Sequence, residues 1–169
     1  MGFAINVIFI VGAIVLLAIS GGFSTDAARR ITDIPDWDKN PDLKSAHGYL
    51  TGAAIATWIG IPLVIILLIL YFVYGSESIE ETGKIVTYIF LFILLFLVIL
   101  IGILSAVGAS KINSSKVTND NGSYKQAIIG ASLALGVMGI IIILMIIKAV
   151  VKHKSKDKPN EANAYMLVK

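Results

Sequence analysis

Long apolar runs separated by short polar connections dominate the chain. Four of them, at 3–20, 48–74, 85–109 and 126–151, carry no Asp, Glu, Lys, Arg or His in their cores. A membrane-spanning helix needs about 20 apolar residues, at ~1.5 Å rise each, to cover a ~30 Å hydrocarbon layer. The first run barely meets that length and the other three exceed it. The pattern predicts an all-α membrane protein, a four-transmembrane-helix bundle over residues 1–151, followed by a basic polar tail at 152–169.

The polar connections refine this outline. The longest, 21–47, reads as an exposed loop in which Asp26, Asp33, Asp36, Asp38 and Asp42 face Arg29, Arg30, Lys39 and Lys44. Thr25 or Asp26 is placed to cap a short helical turn over 27–31. Pro35 and Pro41 stiffen the remainder of the loop, and Trp37 suits the headgroup level. Asn40-Pro41-Asp42 is a helix start, with an Asn cap, a Pro in the first turn and a carboxylate at the positive helix end. The second helix should therefore begin near Pro41, outside the bilayer, and run to about Phe72, some ~48 Å. The short acidic link 75–84, with Ser78 and Glu81 at capping-box spacing, forces the second and third spans into an antiparallel hairpin. The connection 110–125 reads as an exposed loop. Tyr49, Gly52 and Ala56 echo Tyr124, Ala127 and Ala131, a faint sign of duplicated hairpins.

Apolar residues make up 57% of the sequence, and mean hydropathy is +0.86, far from soluble domains. With no cysteine, disulfides and thiol chemistry drop out. Met1–Asn6 lacks the basic flank of a signal peptide, so the first helix is expected to be retained even though Ala18-Ile19-Ser20 offers small residues at cleavage spacing. Gly2 would need Ser or Thr where Asn6 stands to make a myristoylation signal. The net charge of +3 is modest, but Lys148, Lys152, Lys154, Lys156 and Lys158 crowd one stretch. That run reads as a solvated flank of the fourth span, or as a binder of anionic lipid or an acidic partner. It favours a cytoplasmic C-terminus, although basic residues on the two sides nearly balance. No aromatic residues interleave with the basic ones, so nucleic acid is not an expected partner.

The sharpest pattern is a ridge of small residues at four-residue spacing: Gly48, Gly52, Ala56 and Gly60, with Gly102, Ala106 and Ser110 on the third span. Ala127 and Ala131 repeat it on the fourth, with Gly130 and Ala134 on a neighbouring row. Residues at i and i+4 share a helix face, and small side chains there let another backbone come close. The ridge serves packing within the bundle, or else homo-oligomerisation or docking to another membrane protein. Asp42, Lys44 and His47 are the only compact titratable set near a helix start, too few ligands for a metal site. No nucleophile–base pair and no phosphate loop occurs, so neither enzymatic activity nor a cofactor is expected. Transport usually leaves ionisable residues inside the spans. Here only hydroxyls (Thr51, Thr57, Ser105, Ser132) and a Pro62 kink beneath Trp58 are on offer. Asn113-Ser114-Ser115 and Asn121-Gly122-Ser123 fit the glycosylation pattern, and Tyr165–Val168 has the shape of a sorting signal.

The stretch Asp26-Ala27-Ala28-Arg29-Arg30-Ile31, with Asp42 to Thr51 and Trp58, resembles small multi-span membrane proteins of large icosahedral DNA viruses, over about the first 75 residues. The resemblance implies a structural role in the virion inner membrane, anchoring minor capsid proteins through the exposed loop. The residues by themselves point to a membrane scaffold or anchor. Its partners would be the bilayer, other membrane or coat proteins, and further copies of the chain. Arg29, Arg30, Trp37, Asp38, Lys39 and Lys44 on one side, and Lys152, Lys154, Lys156 and Lys158 on the other, are the expected contact residues. The alternative is a small channel or transporter subunit.

Overall fold

The computed structural model describes the backbone of residues 2–74, 81–116 and 122–156, and side chains over 7–70, 86, 88–116 and 122–147. Four helices follow one another: α1 (Gly2–Thr32), α2 (Pro41–Tyr74), α3 (Glu81–Ser114) and α4 (Ser123–Lys156). All four are long and apolar enough to cross a membrane, which makes the chain a multi-pass membrane protein. Each helix packs against its sequence neighbours, and α4 closes the ring on α1. The result is an up-down-up-down bundle. Its 33–40 connection, the end of α3 and the start of α4 lie at one end; the first residues of α1 and the last turns of α4 lie at the other.

Helices of 31 and 34 residues are about 47–51 Å long, well beyond a ~30 Å hydrocarbon layer. At the loop end Asp26–Thr32, Pro41–His47, Lys111–Ser114 and Ser123–Lys125 extend the bundle into a polar cap, and at the other end α3 begins at Glu81 and α4 runs on to Lys156. The exposed loop expected over 21–47 is therefore corrected to 33–40. Gly21 and Gly22 do not stop α1. Gly21 lies where α1 presses on α2, Thr25 Oγ1 donates to the Gly21 carbonyl at 2.8 Å, and Arg30 pairs with Asp26 one turn away at 2.7 Å. Buried Ala27, Ala28 and Ile31 give the extension its apolar face. The start of α2 obeys its sequence signal: Asn40 Oδ1 accepts from the amides of Asp42 and Leu43, and its carbonyl accepts from Lys44. Gly122 holds φ +74° before α4, and its carbonyl accepts from Gln126 at 3.1 Å. Helix α2 continues through Pro62 without a break.

The interior has two apolar layers. The deeper one holds Leu17, Ala56, Val64, Leu91, Val98, Ile101, Ala134, Val137 and Ile141. The cap layer holds Ala27, Ile31, Ile34, Leu43, Ala46, Leu50, Ala109, Ile112 and Ala127, with Trp37 against it. Between them lies a waist of fully buried hydroxyls: Ser20, Ser24, Thr57 and Ser105. Ser20 Oγ donates to the Gly130 carbonyl at 2.9 Å, tying α1 to α4. Ser24 reaches across the bundle to Ser105 at 3.4 Å, and Thr57 donates to its own helix at Ala53. Around this level glycines let neighbouring helices come close. A methyl added at Gly21 would lie 2.9 Å from Thr57 Cγ2, at Gly130 3.0 Å from Ser24 Oγ, and at Gly108 2.8 Å from Leu50 Cγ.

The small-residue ridge divides along its length. Ala56, Gly60 and Gly102 are buried, and a Cβ on Gly60 would come within 3.1 Å of Leu97. Gly52 is half-buried near Leu104, whereas Gly48, Ala106 and Ser110 face outward. Substitution by Leu should respect that order. Gly108→Leu is expected to lower stability most, by about 1–3 kcal/mol or more, as overpacking does. Gly52→Leu should cost less, because only the flexible end of Leu104 must move. Gly48→Leu should leave the detergent melting temperature near that of the parent. A Gly48→Leu variant that melts as low as Gly108→Leu would contradict this packing.

Candidate functional site

The polar cap gathers most of the chain's chemistry that lies within the described residues. Its base is the ends of four helices, and its roof is the 33–40 segment. That segment is held by successive turns, with amide-to-carbonyl bonds from Ile34 to Ile31, Trp37 to Ile34, Lys39 to Asp36 and Asn40 to Trp37, at 3.0–3.3 Å. Asp36 takes φ 57°, which Asp tolerates better than most residues, and its carboxylate meets Lys39 Nζ at 2.7 Å. Spacing then sorts the side chains. Ile34 and Trp37, three apart, turn inward, while Asp33, Pro35, Asp36, Asp38 and Lys39 stay exposed.

Two contacts bind this roof to the helices. The Trp37 ring meets the His47 ring at 4.8 Å between centroids, tilted by 44°. Lys111 Nζ, at the end of α3, donates to Asp42 Oδ1 at 2.9 Å, joining it to the first turn of α2. Trp37 is thus half-buried on the cap core, where the sequence placed it at the headgroups, and the His47 ring lies against it. Asp42 serves two tasks: it stands at the positive end of α2 and it accepts an interhelical ion pair.

Of the expected contact residues, Arg29, Asp38, Lys39 and Lys44 are exposed, while Arg30 and Trp37 are half-buried, Arg30 being paired with Asp26. The cap therefore brings all six to one end. The backbone of α4 carries Lys152, Lys154 and Lys156 to the opposite end. Their side chains lie outside the described residues, as do Lys158, the Ser78–Glu81 capping pair, Asn121 and Tyr165–Val168. Asn113 is exposed, but on the last helical turn of α3. Trp58 is exposed on the lipid-facing side of α2, and Ser132 Oγ is engaged with the Ile128 carbonyl within its own helix.

Sequence reasoning did not single out Gly21, Ser20 or Ser24 as packing residues, because Ser20-Gly21-Gly22 reads as the end of a span. The signal that could have found them is the continuation of apolar positions at Phe23, Ala27, Ala28 and Ile31 beyond the glycines. Among the described residues, no group of three His, Cys, Asp or Glu could hold a metal ion. No family model matches the chain, and no curated protein or solved structure matches it either.

The order of the roof rests on Trp37. Trp37→Ala should raise deuterium uptake at the 33–40 amides about tenfold, ~1.4 kcal/mol of local stability, while α1–α4 exchange as before. The effect stays below the about 3–5 kcal/mol lost from a fully buried Trp. Unchanged uptake over 33–40 would show that the backbone turns suffice without the ring.

Proposed function

We propose that this protein is a structural scaffold or anchor, which holds an assembly on the membrane through its cap. The reading rests above all on the 33–40 roof, a connection that backbone turns, the Trp37–His47 contact and a buried Ile34 keep in one conformation. A connection that served only to join two helices would need no such core beneath it. Its exposed Asp33, Asp36, Asp38 and Lys39 form a polar surface beyond the bilayer, suited to a protein partner. The interior supports the same reading. Its axis is closed at the waist by Ser24 and Ser105, and the waist side chains are neutral hydroxyls engaged with each other or with backbone. The resemblance to virion inner-membrane proteins supports a more specific setting, in which the partners are minor capsid proteins.

Crosslinking mass spectrometry in the native membrane or particle tests this reading. Lys39 and Lys44 report on the cap, and Lys152–Lys156 on the far end. Reproducible links from Lys39 or Lys44 to one coat or assembly protein are expected, and Trp37→Ala should weaken them. Full coverage of these lysines with only internal links, together with solute flux through the purified protein in liposomes, would replace the scaffold with the channel or transporter reading.

A further inference from the structure

The charges of the cap are sorted by pairing. Three carboxylates are taken: Asp26 by Arg30, Asp36 by Lys39 and Asp42 by Lys111. Four exposed cations remain, and among the described residues none of them is in an ion pair: Arg29, Lys44, Lys116 and Lys125. Arg29 lies on α1, Lys44 on α2 and Lys125 on α4, and Lys116 lies two residues past the end of α3. The contacts of Gly130 with Ser20 and Ser24, of Gly21 with Thr57 and of Ser24 with Ser105 fix the relative heights of the helices. Counting ~1.5 Å per residue from those contacts places Arg29, Lys44 and Lys125 within roughly 11 Å along the bundle axis, and Lys116 follows the end of α3 at the same end of the bundle. The unpaired carboxylates Asp33 and Asp38 lie on the roof, level with Lys44. Just membrane-ward of Lys44 and beside Lys125 are two exposed tyrosines, Tyr49 and Tyr124, residues that favour the headgroup level. Beyond them the outer surface turns apolar, with Ile55, Ile59, Ile103, Ile128 and Leu135 exposed.

We infer that this collar binds the phosphates of anionic phospholipids in the leaflet at the loop end of the bundle. Each cation has an aliphatic stem long enough to lie along the helix while its head reaches the phosphate layer. A juxtamembrane cation attracts anionic lipid with a strength that falls off over a Debye length. Four around the circumference can meet anionic headgroups from every side of the bundle. The collar is distinct from the lysine run at the end of α4, which belongs to the opposite leaflet, and it does not depend on the scaffold reading.

Trp58 supplies the probe. It is exposed on α2 nine positions from Tyr49, about 14 Å along the helix and in the loop-end half of the membrane. Its fluorescence would be quenched in phosphatidylcholine bilayers containing either brominated phosphatidylglycerol or brominated phosphatidylcholine, with Trp37 in the cap as the unquenched reference. Phosphatidylglycerol should be preferred at low salt by roughly fivefold, the factor one juxtamembrane cation supplies, and the preference should shrink in 0.5 M salt, about the ionic strength at which exposed charges are largely screened. The combined variant Arg29→Gln, Lys44→Gln, Lys116→Gln, Lys125→Gln should lose it. The charge-preserving variant Arg29→Lys, Lys44→Arg, Lys116→Arg, Lys125→Arg should keep it, which separates charge from folding. Equal quenching by both lipids overturns the proposal. So does a preference that survives in the glutamine variant and disappears in Lys152→Gln, Lys154→Gln, Lys156→Gln.

Discussion

The close approach of the helices at the hydroxyl waist is the constraint on which the rest of the bundle depends. In lipid, apolar surface gains nothing by leaving its surroundings, since acyl chains are as apolar as leucine. Association then rests on contact area and on hydrogen bonds that find partners. Gly21, Gly108 and Gly130 supply the contact by removing the side chains that would hold the backbones apart. Ser20, Ser24 and Ser105 supply the hydrogen bonds, and their small size lets them do so without widening the gap. Interhelical bonds of this kind contribute only about 0.6 kcal/mol each. Their larger effect is on register, because a donor at Ser20 meets the Gly130 carbonyl at one axial position only.

That register sets what lies above and below. On the membrane side, large residues such as Leu17, Val64, Leu91, Val98 and Ile141 interlock and gain dispersion energy. On the loop side the same helices emerge into water, where burial of Ile31, Leu43, Leu50 and Ile112 is driven at about 25 cal/mol per Å². One bundle is thus held by two different forces. The waist lies at the join of the two layers.

The spans were legible in the sequence because length and the absence of charge suffice to define them. The Asn40-Pro41-Asp42 start of α2 was legible for a similar reason, since capping is a local matter. What lay beyond local reading was direction. Spacing identified Gly48, Gly52, Ala56 and Gly60 as sharing a face, yet a straight helix at 3.6 residues per turn carries a four-residue ridge slowly around its axis. Ala56 and Gly60 therefore reach the interior while Gly48 does not. Paired glycines after Ser20 resembled a terminus because glycine is disfavoured in helices, and only the neighbouring Thr57 explains why Gly21 is required there. Trp37 read as an interfacial residue, and its contact with the His47 ring, ten positions along the chain, was beyond local reading.

The division between a closed waist and an ordered cap bears on what kind of work the bundle performs. A conducting bundle keeps polar or ionisable groups facing a water-filled axis. Here the polar groups on the axis face one another, and Ser24 and Ser105 meet across the diagonal where a pore would run. The segment between α1 and α2, by contrast, has more internal structure than joining two antiparallel helices requires. It has a left-handed Asp36, four backbone turns and a buried Ile34 beneath exposed acidic side chains. Order in a solvent-facing connection costs conformational entropy that must be offset locally, and the cap core offsets it. On the scaffold reading proposed above, partner specificity lies in the roof rather than along the axis.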